Sequence, residues 1–255
     1  MDSLREWKNS PVRKPLILVG ARQVGKTYIL KEFGRQEYEN VAYLNCDRNE
    51  KARGLFSEGY DMQRIIIAIG ALTRTTIKPG KTLIVLDEIQ ELEHGLTALK
   101  YFCEDAPGYH VAVAGSLLGI AMRHGESAPV GKVNIIRMYP MDFEEYLLAR
   151  GETSMIDILK SKDWTTISMI HDALEKLLRE YYFVGGMPEA VSTFIRSLDT
   201  NAVRQVHNEI LFIYRSDMSK HVTSSEATRI SMVWQSIPSQ LARENKKFIY
   251  GAVKA

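Results

Sequence analysis

Eight residues near the N-terminus carry the most definite chemistry. Gly20-Ala-Arg-Gln-Val-Gly25-Lys26-Thr27 fits the pattern G-x-x-x-x-G-K-[ST] at every fixed position. Glycines let a backbone wrap closely around a phosphate, and a helix opening behind them presents free N–H groups and its positive dipole end. Lys26 supplies a cation for the β- and γ-phosphates and should face solvent in the empty loop, and the Thr27 hydroxyl is placed for Mg²⁺. A second constellation is Leu83-Ile-Val-Leu86-Asp87-Glu88, an apolar run ending in two acids. At a buried strand end, Asp87 can hold metal-bound water while Glu88 orients or deprotonates a water in line with the γ-phosphate. The same pair would also serve merely to solvate the end of a core strand.

These groups must be carried by alternating elements. Lys14 to Gly20, Val41 to Cys46, Thr82 to Asp87, Tyr109 to Ala114 and Val133 to Met138 read as strands. Lys26 to Gly34, Asp61 to Thr75 and Leu96 to Glu104 read as helices, the first closed by its C-terminal glycine. Strands alternating with helices imply an α/β fold, a parallel sheet covered on both faces. Beyond Pro140 the periodicity is helical throughout. The fourth strand brings Ser116 to its tip, where a hydroxyl either senses the γ-phosphate or caps the turn before Leu117. Gly115 abuts Ser116, so G-x-S-x-G is not formed and the serine is no hydrolase nucleophile.

Composition excludes several classes. The 255 residues are 45% apolar and 25% charged, ordinary globular values. The longest apolar stretch, Ile65 to Leu72, is far shorter than the roughly 20 residues of a membrane span. A net charge of +2 is too balanced for a wholesale binder of nucleic acid or membrane surfaces. Cys46 and Cys103 form no disulfide framework, and the histidines lack ligand spacing, so a cytoplasmic protein without a histidine metal site is expected. Among nucleotide-binding classes, a GTPase should show N-K-x-D, whereas Asn245-Lys246-Lys247-Phe248 lacks the aspartate. No L-S-G-G-Q signature is present, and the second acid, Glu88, favours ATP hydrolysis over small-molecule kinase chemistry.

With these motifs located, the chain resembles the prokaryotic AAA+-type P-loop ATPases of the archaeal-ATPase and STAND-like kind. More narrowly, it resembles those carrying a C-terminal domain of unknown function. The matching stretches are Arg13 to Thr27, Leu86-Asp-Glu-Ile-Gln90, Leu99-Lys-Tyr-Phe102, Ala114 to Gly119, Pro129 to Val133, Tyr139 to Glu145 and Gly185-Gly-Met-Pro-Glu-Ala-Val191. The resemblance implies an α/β P-loop NTPase with a parallel sheet of order 5-1-4-3-2, followed by a helical lid. It implies Walker A and Walker B roles for the two constellations, with ATP and Mg²⁺ as cofactors. The nucleotide set is Gly20, Gln23, Val24, Gly25, Lys26, Thr27 and Tyr28, with Thr27 and Asp87 at the metal. Glu88 and Ser116 are the catalytic candidates. Gly186-Met187-Pro188 matches the lid element that closes over the base in such ATPases, although a Gly-Gly turn before a helix opening at Pro188 would read identically.

The expected organisation is a core over residues 1–140, a lid over 141–222 and the start of a winged-helix-like domain, cut short, over 223–255. The lid shows no clear sensor arginine. Arg123, Lys132 and Arg137 are the candidates among which an arginine finger would be sought, although such residues are more often solvated surface charges. From Arg196 onward there are nine basic and five acidic residues, a balance of +4 inside a chain of only +2. Arg243, Lys246 and Lys247 make DNA a candidate partner, against the alternative of a solvated helical face. ATP and self-association as a switch or assembly complete the expected partners, and no membrane is among them.

Overall fold

All five apolar runs become strands because each is short, rich in Val, Ile and Leu, and bounded by breakers. They are β1 (Leu16–Gly20), β2 (Asn40–Asn45), β3 (Thr82–Asp87), β4 (His110–Ser116) and β5 (Asn134–Met138). The computed structural model describes residues 1–116, 129, 131–218, 222–242 and 247–253, with the side chains of Ser116 and Ala252 outside the description. Every pairing is parallel, and the order β2-β3-β4-β1-β5 is the 5-1-4-3-2 arrangement that the resemblance implied. β4 therefore lies between the strand that feeds the phosphate loop and the strand that ends in acids.

The chain divides into two units. The first comprises Met1–Glu145 and Gly186–Pro188, the second Tyr146–Gly185 and Glu189–Ala255. In the first unit, alternate strand residues face opposite sides, so the sheet carries two cores. Ile17, Val19, Ile84, Leu86, Val111 and Val113 pack under α3 (Met62–Thr73) and α4 (Gly95–Asp105). Leu16, Leu18, Leu83, Val85, Ala112 and Ala114 pack under α1 (Asp2–Asn9) and α2 (Lys26–Glu37). α1, which the sequence pattern did not announce, buries Leu4 and Trp7 against the second core. Asp61 does not begin α3 but caps it, its Oδ1 accepting from the Gln63 and Arg64 amides.

One helix end departs from expectation. α2 does not close at Gly34 but runs to Glu37, with Tyr38 as its cap. Gly34 is needed for a different reason: a Cβ there would lie 2.4 Å from Val41 Cγ2 and 3.3 Å from Leu83 Cδ2. The glycine lets the helix approach β2 and β3 closely; it does not stop the helix.

The second unit is helical, and among its described residues there is no strand. It continues α5 (Phe143–Ala149) from the first unit and adds α6 (Thr153–Ser161), α7 (Trp164–Met169) and α8 (His171–Val184). α9 (Pro188–Ser197), α10 (Thr200–Met218) and α11 (Ser224–Leu241) follow. Within this unit, the Tyr146 hydroxyl donates to Glu180 (2.7 Å), whose carboxylate also lies 3.0 Å from Arg150 Nε. Thr223 and Glu226 form a capping box that opens α11. Among the described residues, no helix is long and apolar enough to cross a membrane.

Candidate nucleotide site

β1 delivers the chain to Gly20, where a side chain has no room: a Cβ would lie 2.3 Å from the Met138 carbonyl oxygen on β5. The loop then turns back on itself through two left-handed residues, Gln23 (φ 63°) and Gly25 (φ 92°). Val24 is buried beneath it and Gln23 is exposed. Gly25 is the N-cap of α2 and brings no side chain to cap it. The first-turn N–H groups, which have no partner inside a helix, are thereby directed at whatever the loop encloses. Tyr28, one residue past Thr27, is exposed on that first turn.

Lys26 differs from a solvent-facing lysine. Only 8% of it is exposed, and its ammonium donates to the Ala21 carbonyl (2.7 Å) and the Gly20 carbonyl (3.1 Å). Burial lowers its pKa, with Arg22 adding to the effect and the Glu88 and Asp87 carboxylates opposing it. The expectation that it faces solvent fails because the loop coils over its stem and offers two carbonyl acceptors close by.

Asp87 ends β3 with 5% of its surface exposed. Its Oδ2 accepts from the Thr27 hydroxyl at 2.8 Å and from the Tyr43 hydroxyl at 2.9 Å. The two expected metal residues, Thr27 and Asp87, are thus in direct contact although they stand on different elements. Burial pushes the Tyr43 phenol up to about 12, so that it remains a proton donor. Glu88 follows in the left-handed region (φ 55°, ψ 44°), its amide donating to the Ala114 carbonyl at 2.9 Å. That kink takes the second acid off the strand path. The Glu88 carboxylate accepts from Gln90 Nε2, and Gln90 is itself 5% exposed, its buried Oε1 without a hydrogen-bond partner among the described residues. Tyr43 and Gln90 are the residues of this site that no motif singled out. Gln90 lies inside the matched stretch ending Ile-Gln90, whereas Tyr43 gave no sequence signal.

The remaining candidates lie as follows. Ser116 pairs in register with Gly20, but its hydroxyl, the proposed sensor, lies outside the described side chains. The Gly186 carbonyl accepts from the Met141 amide at 2.7 Å, and a Cβ on Gly186 would lie 2.0 Å from the Met141 carbonyl oxygen. Met141 leaves β5, whose Met138 pairs with Gly20, so Gly186 is tied to the strand beside the loop. Pro188 opens α9. Lys132 pairs with Glu104 (2.8 Å) and Arg137 is exposed on β5. Arg123 and the DNA candidates Arg243 and Lys246 lie outside the described residues, while Lys247 is exposed. Cys46 is buried, and burial, reinforced by Asp87, Glu88 and Glu91, pushes its thiol up to about 12, in keeping with a small apolar filler.

The AAA domain family model matches residues 12–147, over half of the chain, and a model described as Domain of unknown function (DUF8612) matches residues 175–255. No curated protein matches the sequence. Among solved structures, the chain is similar to C. elegans PCH-2 at 14% identity and a TM-score of 0.41, over 78% of this chain and 60% of that one. It is similar to the Aeropyrum pernix ORC1 protein in complex with DNA at 14% identity and 0.41, over 99% and 72%. Drosophila ORC bound to DNA gives 13% identity and 0.42, over 98% and 68%.

Proposed function

The chain belongs to the AAA domain family, and from that premise we propose that it is a Mg²⁺-dependent ATPase acting as a switch or assembly. The observation that carries the reading is the 2.8 Å contact between Thr27 and Asp87, which joins the phosphate loop to the acidic strand end. A hydroxyl and a carboxylate are the hard oxygen ligands that Mg²⁺ takes while keeping part of its water shell. Thr27 and Asp87 would hold the ion, which when bound would supply positive charge to offset that of the nucleotide phosphates.

The chain's own residues do the rest. The loop amides and the first turn of α2 bind the phosphates, and Lys26 exchanges its two carbonyl acceptors for phosphate oxygens. Glu88 takes a proton from, or orients, the attacking water, its direction set by the left-handed backbone at that residue. Ser116 senses the γ-phosphate from the end of β4, and Gly186 with Pro188 borders the base.

Steady-state phosphate release tests this. Wild type should release phosphate in the presence of Mg-ATP, and Glu88→Gln should bind ATP but turn it over on the order of 10²-fold more slowly or less. Normal turnover by Glu88→Gln would move the water-activating role elsewhere. A second reading, a nucleotide-regulated binding module with little turnover, is favoured by the hydrogen bond that Gln90 places on Glu88; tight ATP binding with negligible phosphate release would select it. DNA binding through the C-terminal segment rests on the +4 balance from Arg196 onward. It requires duplex binding at low salt that weakens steeply as salt is added.

A further inference from the structure

We propose that Tyr43 of β2 is a positioning residue for the metal-site carboxylate, its hydroxyl holding Asp87 in the orientation that meets Thr27. The inference rests on the ATPase reading and deepens it.

The placement follows from register. β2 and β3 run parallel, with Tyr43 opposite Val85 and Asn45 opposite Asp87. Side chains alternate along a strand and paired residues share a face, so Tyr43 and Asp87 project to the same side, one two-residue step apart on neighbouring strands. Strands about 4.8 Å apart and a step of about 6.6 Å put such positions about 8 Å apart at the backbone. Only a long side chain closes that gap, and the Tyr43 hydroxyl reaches Asp87 Oδ2 at 2.9 Å.

The ring is held in turn. Lys31 places its ammonium 3.5 Å from the Tyr43 ring centroid. Lys31 is one helical turn after Thr27 on α2, so both lie on the same helix face. α2 therefore presents Thr27 to the carboxylate and Lys31 to the ring that supports it. Among the described residues, both hydroxyl donors to Asp87 fall on Oδ2. Thr27 belongs to the element that must also serve the nucleotide. Tyr43 does not, so it is the donor that stays in place whether or not the loop is loaded.

The test is calorimetric titration with a non-hydrolysable ATP analogue across a range of Mg²⁺ concentrations, and again in EDTA. Tyr43→Phe keeps the ring and the Lys31 contact and removes only the hydroxyl. A hydrogen bond to a charged acceptor is lost, so the midpoint of the Mg²⁺ dependence should rise about tenfold, equivalent to about 1.4 kcal/mol. Analogue affinity in EDTA should be unchanged, which damage to the loop would not allow. In an Asp87→Asn background, adding Tyr43→Phe should shift the midpoint no further. A Tyr43→Phe midpoint equal to wild type, or full additivity with Asp87→Asn, overturns the inference while leaving the ATPase reading intact. A wild-type chain that binds no analogue at any Mg²⁺ concentration overturns both.

Discussion

Acidification should destabilise the first unit through His110, and the size of the effect can be worked out. His110 opens β4 with 7% of its surface exposed, and its Nδ1 lies 2.7 Å from the Tyr38 hydroxyl. Trp7 and Tyr38 meet its ring edge-on. Burial, with Arg13 and Lys8 nearby, lowers its pKa from 6.5 to about 4. Burial also raises the Tyr38 pKa, so its hydroxyl keeps its proton and donates to Nδ1 in the tautomer that carries its hydrogen on Nε2. As pH falls below 6.5 the unfolded chain takes up a proton that the native imidazole refuses, so stability falls through the window between 6.5 and about 4. It is retained above that window and changes no further below it. Each pH unit inside the window costs about 1.4 kcal/mol, so moving from neutral pH to about pH 5 should cost about 2 kcal/mol. His110→Asn offers an amide oxygen to the Tyr38 hydroxyl and does not titrate. It should be less stable than wild type at neutral pH because it is smaller, yet lose about 2 kcal/mol less on acidification. Urea denaturation of both proteins at the two pH values measures this. Equal losses in both, or a native His110 ring that titrates near 6.5 by NMR, would refute the reasoning.

Two further outcomes follow from the packing. Lys26→Ala and Lys26→Met should both lose ATP binding by calorimetry, but Lys26→Met keeps a stem beneath the loop, so Lys26→Ala should be the less stable by about 2 kcal/mol in thermal melts. Equal melting of the two would mean that the buried stem contributes nothing. Gly34→Ala should destabilise by about 1–3 kcal/mol, because its new Cβ meets Val41 Cγ2, and adding Val41→Ala should recover part of that loss. Absence of recovery in the double variant would mean that the Val41 contact does not set the cost of a side chain at Gly34.

Much of this site could be read before any coordinates. The phosphate loop is a local sequence feature, since glycine spacing, the lysine and the hydroxyl all act within one strand–turn–helix. The five strands were visible because buried parallel strands are short continuous apolar runs, and Asp87 with Glu88 stood out as charge closing such a run. The strand order came from the family resemblance, since periodicity says which segments are strands and nothing about which ones are neighbours.

What tertiary structure decided lies where distant segments meet. Gly34 looked like a helix stop and is a point of close approach, a difference set by Val41 and Leu83 on strands that pass beneath it. Lys26 looked exposed and is buried, because the loop folds back over its own lysine. Gly186, far along the chain, is joined to Met141 by a backbone hydrogen bond. Tyr43 carried no motif, and its hydroxyl reaches Asp87 only because β2 pairs with β3 in one register. A shift of one residue would turn its ring to the other face of the sheet. Register is fixed by the packing of both faces at once, which no local window of sequence contains.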